Sequence, residues 1–192
     1  MKRILLLLAV LPMSSCSLIF EAADISVRRS KEVTTSDQLA GDGFTVRPPE
    51  SGLYPNYNHP FKGGVTLRPT DTGFDGLVYY VQPFASPTAR TTDDAVREWN
   101  SIWGKKGIRI EIVEKSKSVF SGREATRCIV RIHQSSGEHA SAFLAVKRDT
   151  DFLIIGHGNT DSFGNQRADL FAAAKDDLGK LIRCTKLSST PR

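Results

Sequence analysis

The chain has 192 residues, of which 40% are hydrophobic and 24% are charged, and its formal net charge is +5. This length favours one domain plus a tether, and the apolar content is enough for a core. The positive charge is modest and no basic stripe with interleaved aromatic residues is present, so we expect no nucleic-acid partner.

The N-terminal segment has the layout of a secretory signal. Lys2 and Arg3 precede an unbroken apolar run over residues 4–11, which Pro12 ends before a group of small residues. The apolar run is shorter than the roughly 20 residues that a membrane-spanning helix needs. We therefore expect the chain to be exported and residues 1–15 to be removed as a signal peptide.

The residues at the expected cleavage point resemble the lipobox of bacterial lipoproteins. In Met13-Ser14-Ser15-Cys16 a cysteine follows two small residues, as it does in the usual form Leu-Ala-Gly-Cys. The resemblance implies cleavage after Ser15, palmitate-type acylation of Cys16, and anchoring to a membrane through several acyl chains. Ser17, in place of Asp, implies sorting to the outer membrane, with the domain facing the periplasm. An ordinary signal peptide with an incidental cysteine is the alternative.

Two further cysteines, Cys128 and Cys184, remain after Cys16 is assigned to the lipid. An even pair in an oxidising compartment favours a disulfide between them. Two buried free thiols are the alternative. The sequence contains no C-x-x-C motif, which argues against a redox-active pair.

The exported chain divides into three parts. Residues 16–42 are mostly polar and charged, and we predict that they form a lipidated tether. A single domain is predicted over 43–185, beginning with a short strand at 43–46. Residues 186–192 are predicted to be a flexible tail.

A loop predicted over residues 50–62 concentrates aromatic side chains and prolines. Tyr54, Tyr57 and Phe61 are candidates for a protein-recognition surface, because exposed aromatic residues are enriched in the centres of interfaces. The alternative is that these three side chains cover one end of the sheet.

Two amphipathic helices are predicted from apolar residues at helical spacing. The first has Thr92 as its N-cap and ends at Gly104. The second lies near the C-terminus and has Cys184 at the edge of its apolar stripe. The apolar positions are Ala95, Val96, Trp99, Ile102 and Trp103 in the first helix, and Leu170, Phe171, Ala174, Leu178, Leu181 and Ile182 in the second.

Alternating apolar residues between turn sequences predict the strands. Besides the opening strand at 43–46, two strands precede the first helix, and four strands after it have the regular turn spacing of an antiparallel meander. The predicted class is therefore α+β, with helices packed on an antiparallel sheet. The predicted strands span residues 65–68, 77–82, 108–113, 124–133, 140–147 and 152–157.

This order of elements resembles the PsbP-like fold, an α/β/α sandwich shared by a photosystem subunit and many small exported bacterial proteins. The resemblance is carried by GFTVRP at residues 43–48, by SGREA at residues 121–125, and by the amphipathic terminal helix. It implies a binding or assembly factor, because members of this fold have no shared active site.

Catalytic and metal-binding signatures are weak. His133, His139 and His157 lie at strand ends, where solvated surface residues are more common than zinc ligands, which must converge in threes or fours. Residues 156–161, GHGNTD, form either a small anion- or metal-binding loop or a glycine-rich connection to the last helix. No G-x-S-x-G, P-loop, dinucleotide-binding or EF-hand motif occurs, so we expect no catalytic residue, metal or cofactor.

The resulting hypothesis is a lipid-anchored, non-catalytic binding or assembly factor for a protein partner in the envelope; a secreted toxin is one such partner. An envelope hydrolase and a carrier of a small ligand or lipid are the alternatives. A hydrolase predicts a cleft in which a nucleophile, a base and an orienting group converge. A carrier predicts an apolar cavity of roughly 300 Å³ or more, and a binding protein predicts an exposed apolar patch.

Overall fold

The computed structural model describes residues 31–57, 62–69, 78–104, 108–134, 137–158 and 170–188. These residues form ten strands and two helices. The strands are β1 (Leu39–Gly41), β2 (Phe44–Val46), β3 (Leu53–Tyr57), β4 (Val65–Pro69), β5 (Val78–Phe84), β6 (Arg109–Phe120), β7 (Arg123–Gln134), β8 (Gly137–Lys147), β9 (Phe152–Gly158) and β10 (Thr185–Leu187). The helices are α1 (Thr92–Gly104) and α2 (Leu170–Cys184).

Seven strands form one antiparallel sheet in the order β3-β4-β5-β9-β8-β7-β6. The chain runs through β3, β4 and β5, passes through α1 to the far edge of the sheet, and returns through β6, β7, β8 and β9. The return ends beside β5, where Val81 is the register partner of Ile155. The predicted α+β class, with an antiparallel meander after the first helix, is confirmed.

A second sheet of three strands, in the order β1-β2-β10, joins the two ends of the described chain. β10 follows α2 directly and pairs with β2, so that Lys186 lies opposite Thr45. Residues 186–188, assigned to a flexible tail from the sequence, are therefore hydrogen-bonded to the opening strand. The N–H of Ser188 also donates to the carbonyl of Gly43 at 3.0 Å.

The segment before Gly43 is also folded in part. Val33 and Leu39 are 8% and 7% exposed and belong to the main core cluster. The N–H of Val33 donates to the carbonyl of Leu53 at 2.8 Å. The folded unit thus includes residues that the sequence assigned to the tether, because two well-placed apolar residues are sufficient to bind an otherwise polar segment to the core.

The region predicted as a loop over 50–62 contains the strand β3, which pairs with β4. Pro55 lies within it and is buried. A proline has no N–H for a ladder hydrogen bond and is tolerated at the edge of a sheet, which is the position of β3. The prolines that suggested a loop are therefore compatible with an edge strand.

α1 covers one face of the large sheet. Trp99 is 2% exposed and lies at the centre of this contact, with the ring of Tyr80 stacked at 5.9 Å and the ring of Phe84 edge-on at 5.6 Å. Ala95 and Val96 are also buried in this cluster. The prediction that Trp99 belongs to the core is confirmed.

The N-terminus of α1 is capped by Thr91, one residue before the predicted cap. The N–H of Asp94 donates to Thr91 Oγ1 at 3.1 Å, and the N–H of Thr91 donates to Asp94 Oδ2 at 2.9 Å, which is the reciprocal pattern of a capping box. The hydroxyl hydrogen bond from Thr91 is the main reason that the pKa of Asp94 is lowered to about 2. Thr92 is buried instead, with its hydroxyl 2.7 Å from that of Thr126.

α2 and the small sheet cover the opposite face of the large sheet. Leu178 and Leu181 of α2 are fully buried against the same cluster as Phe44 and Val46 of β2. Arg131 of β7 extends under the start of this helix, with its guanidinium 5.4 Å from the centre of the Phe171 ring. Both faces of the large sheet are therefore core faces.

Candidate functional site

The glycine-rich segment considered as a ligand loop begins as the end of β9. His157 is fully buried, and its Nε2 lies 3.4 Å from Oδ2 of Asp177 on α2. Lys180 Nζ donates to the other carboxylate oxygen of Asp177 at 2.8 Å. The ring of Tyr79 lies 5.5 Å from that of His157. This pair joins β9 of the large sheet to α2. Because the His157 and Asp177 side chains are only 0% and 9% exposed, the pair is shielded from any substrate.

Gly156 and Ser141 lie beside His157 but face the other side of the sheet, toward Tyr80 and α1. A Cβ on Gly156 would lie only 2.5 Å from Cε2 of Tyr80, so glycine is what allows the Tyr80 ring to lie against β9. Ser141 Oγ donates to the carbonyl of His157 at 2.6 Å. Burial raises the pKa of Tyr80 well above its ordinary value. Residues 159–161 of the segment lie outside the described residues.

The histidines occupy different environments. His139 is 5% exposed and lies in the α1-side face of the sheet opposite Ile132, whereas His157 lies in the α2-side face. His133 is partly exposed, between Glu111 at 3.5 Å and Glu138 at 3.3 Å. The expectation of solvated surface residues is thus wrong for His139 and His157. Within the described ranges, no group of three or more His, Cys, Asp or Glu residues could hold a metal ion.

Cys128 and Cys184 are both free thiols in the structure, so the predicted disulfide is not formed. Cys128 is buried in the cluster beneath α1, whereas Cys184 ends α2 on the other side of the sheet. The disulfide prediction assumed that the large sheet has one core face. Helices cover both faces, and the two cysteines lie on opposite sides. Burial raises the pKa of the Cys128 thiol to about 12.

The aromatic residues proposed as an interface are only partly described. Tyr54 lies on the edge strand β3, is half-buried, and its hydroxyl donates to Glu32 Oε2 at 3.4 Å. Tyr57 is the last residue of β3, and its side chain is outside the description, as is the whole of Phe61. An interface at these three residues stays a prediction.

The membrane anchor also remains a prediction, since Cys16 and the signal segment lie outside the described residues. Among the helices that the structure describes, none is both long enough and apolar enough to cross a bilayer.

A groove of about 280 Å³ opens where the small sheet meets the end of α2. We call it the cationic groove, because Arg47, Arg183 and Lys186 line it together with the polar side chains of Thr35 and Thr45. Pro48, Pro49 and Cys184 supply apolar surface in the same groove. The sequence did not single out this groove, because its residues come from opposite ends of the domain.

β6 is the second distinctive surface. It forms one edge of the large sheet, and its side chains from Glu111 to Val119 are all exposed. Ile112, Val113 and Val119 are 42%, 45% and 72% exposed, an unusual property for large apolar side chains in a long strand. A bulge interrupts the pairing with β7 between Ile112 and Glu114, and the register is regular from Glu114 to Phe120.

Comparison with protein-family models gave no match for this sequence, and comparison with curated proteins gave no match. Among solved structures, the solution structure of cyanobacterial PsbP (CyanoP) from Synechocystis sp. PCC 6803 is similar, with a TM-score of 0.56. The chain has a PsbP-like fold. The superposition covers 79% of this chain and 91% of CyanoP at 9% sequence identity, so the likeness to PsbP concerns the fold and not a ligand or activity.

Proposed function

We propose that this protein is a lipid-anchored envelope protein that binds a protein partner and does not catalyse a reaction. Acylated Cys16 holds it at the periplasmic side of the outer membrane, and the PsbP-like domain presents the binding surface. The observation that carries the binding role is the exposed edge strand β6, on which Val119 is exposed within the regular run 114–120 and Ile112 and Val113 are exposed at the bulge.

The arrangement of the acid–base groups supports binding rather than hydrolysis. His157 and Asp177 are the imidazole and carboxylate of the described residues that approach each other in the core, and both are shielded from solvent. A general base must reach the proton that it removes, directly or through one water molecule. The role of this buried pair is structural: Asp177 contacts His157 of the sheet and also accepts a hydrogen bond from Lys180 on its own helix.

Residues 114–120 of β6 are suited to accept another strand. An edge strand leaves the N–H and C=O groups on its outer side without partners in the sheet, and many complexes form by adding a peptide strand there. Lysines often protect such edges. Here Lys115 and Lys117 turn toward Asp93 at the start of α1, at 3.6 Å and 2.9 Å, and therefore do not extend across the edge.

The proposed occupant of this edge is an extended segment of a protein partner in the envelope. Val119 provides the main apolar contact, because it is the most exposed large apolar side chain of the described chain. The other exposed side chains of this run, residues 114–118, are polar or charged, which fits a partner strand with polar and charged side chains better than a hydrophobic membrane surface.

Cross-linking in the native envelope tests this proposal. Wild-type protein should yield a cross-linked heterocomplex, and Val119→Asp should remove it, because a carboxylate would have to be desolvated in the contact. Ser51→Asp is the matched control: it places the same charge at an exposed residue beside the opposite edge strand and should leave the complex intact. Thermal unfolding should be nearly unchanged in both variants, since exposed substitutions usually alter stability by less than about 0.5 kcal/mol.

Two results would overturn the binding role at β6. One is an unchanged heterocomplex in Val119→Asp. The other is a cross-linked product containing only two copies of this chain, which would make the edge a self-association surface.

The anchor is tested separately by mass spectrometry of the protein purified from envelopes. We expect diacylglycerol and fatty-acid mass on the wild-type N-terminal peptide, and we expect Cys16→Ser to lose that mass and to be released from the membrane fraction. Membrane retention of Cys16→Ser at an unmodified mass would contradict lipid anchoring.

A further inference from the structure

We propose that the cationic groove binds the phosphate group of an anionic phospholipid headgroup, so that the domain itself contacts the membrane surface. The groove is independent of β6, and only its expected closeness to the bilayer rests on the proposed lipid anchor.

The charges of the groove are not neutralised within the protein. Arg47, Arg183 and Lys186 make no ion pair with any carboxylate of the residues described. On the same helix as Arg183, Lys175 pairs with Glu114 and Lys180 pairs with Asp177. Three cations that share one groove repel one another, and an anionic ligand would relieve that repulsion.

Backbone hydrogen bonds bring together the segments that carry these three basic residues. The N–H of Arg47 donates to the carbonyl of Cys184 at 2.9 Å, which fixes the end of β2 to the last residue of α2. The β2–β10 register places Thr45 opposite Lys186. The three exposed side chains therefore extend from backbone segments whose relative positions are fixed by hydrogen bonds.

The chemistry and size of the groove suit a phosphate. Guanidinium groups form paired, charge-assisted hydrogen bonds with phosphate oxygens, and the hydroxyls of Thr35 and Thr45 add further donors. A volume of about 280 Å³ is at the lower end of ligand pockets. The groove therefore has room for a headgroup.

The groove is also lined by a residue close to the start of the described chain. Thr35 is among the first residues of the described chain. Residues 17–30 would separate a lipid on Cys16 from Lys31, and a fully extended segment of that length reaches at most about 50 Å. An anchored chain is thus able to place this groove against the headgroup layer.

Sedimentation with lipid vesicles tests the inference on the mature chain from residue 16, carrying Cys16→Ser so that it has no lipid. The wild-type groove should bind vesicles of phosphatidylcholine with phosphatidylglycerol, and salt should weaken the binding. The triple variant Arg47→Gln, Arg183→Gln, Lys186→Gln should lose about 100-fold in partition coefficient, because each basic residue near an anionic bilayer contributes roughly fivefold. The matched control is Arg97→Gln, Lys147→Gln, Lys175→Gln, which removes three charges elsewhere and should lose at most a few-fold.

Several outcomes would overturn it: no sedimentation of the wild-type groove with anionic vesicles, equal loss in both triple variants, or binding of inorganic phosphate or an acidic peptide without vesicle binding. Since the test chain carries no lipid, an absence of acylation in the cell would leave this result unaffected, and the two proposals fail separately.

Discussion

At the scale of single residues, Gly156 sets how closely the ring of Tyr80 approaches the central strand β9. A methyl group at this position would overlap the ring, whereas a Cβ at Gly158, two residues further along, would have no atom within 4 Å. The two glycines of this short motif therefore differ. The Tyr80 ring requires a glycine at position 156, whereas no neighbouring atom requires one at position 158.

We predict that Gly156→Ala lowers the free energy of unfolding by about 2 kcal/mol, the usual cost of overpacking a core. Gly158→Ala is the matched control and should change it by less than about 0.5 kcal/mol. Urea denaturation measures both. In a Tyr80→Leu background the Gly156→Ala penalty should nearly vanish, and an undiminished penalty there would show that the ring is not the cause.

The two cysteines should differ sharply in reactivity. With the pKa of Cys128 raised to about 12, roughly one molecule in 10,000 carries its thiolate at pH 8, whereas Cys184 is half-buried beside the cationic groove. We expect iodoacetamide to label Cys184 and to leave Cys128 unmodified until the protein is unfolded. Peptide mass spectrometry without reductant gives the labelling, and a Cys128–Cys184 cross-linked peptide would contradict the structure.

At the scale of elements, α1 shows why its cap was predicted one residue too late. Thr91 and Thr92 are both suitable N-caps, and the choice between them depends on a contact far away in the sequence. The hydroxyl of Thr92 lies beside that of Thr126 on β7. Burial there leaves Thr91 as the cap, and a local pattern does not contain that information.

We predict that Thr91→Ala destabilises the protein by about 1 kcal/mol at neutral pH, as is typical for loss of an N-cap. Thr35→Ala, at an exposed threonine outside the helix, should have no measurable effect on stability. Urea denaturation of each variant gives the difference, and equal effects of the two substitutions would contradict the capping role.

The same cap should contribute to acid sensitivity. The pKa of Asp94 is about 2 in the folded protein and 3.8 ordinarily. The contribution of its carboxylate to the free energy of unfolding is therefore complete above about pH 4 and is lost as the pH falls toward 2. We expect the unfolding free energies of wild type and Asp94→Asn to converge over that interval. A difference between them that stays constant from pH 4 to pH 2 would show that the Asp94 carboxylate is not what the cap stabilises.

Elements with a clear period were the predictable ones. The two helices and the strands of the meander repeat their apolar residues over many positions, which a single sequence reveals. β1 and β10 have three residues each, too few for a period, and β3 contains a proline. For Cys128, the alternation of apolar residues along β7 correctly identified a buried face of the strand. It could not show that α1, and not the helix that carries Cys184, covers that face.

At the scale of the whole molecule, the domain depends on the joining of its two ends. Val33 and Leu39 near one end and Leu181 near the other contribute to one core cluster. The cationic groove likewise combines residues from both ends. Neither the cluster nor the groove was predictable from local patterns, because each forms only after the chain has closed the small sheet.

We predict that a chain beginning at residue 43 is less stable than one beginning at residue 31 by about 4 kcal/mol, because the deletion removes two buried apolar side chains worth roughly 2 kcal/mol each. A chain beginning at residue 31 should match one beginning at residue 16. Thermal and urea unfolding of the three chains test this, and equal stability of all three would show that residues 31–42 form a tether only.

The position of β1 has a mechanical consequence. Any tension applied from the N-terminal side enters the fold at Val33 and β1, and β1 is held by three residue pairs with β2 at the margin of the small sheet. Those contacts would separate one after another, while β2 stays fastened to β10. Apart from the Val33–Leu53 bridge to β3, the strand pairs under load belong to the small sheet, so a stretched chain can lengthen at its base while the large sheet keeps its other strand pairs.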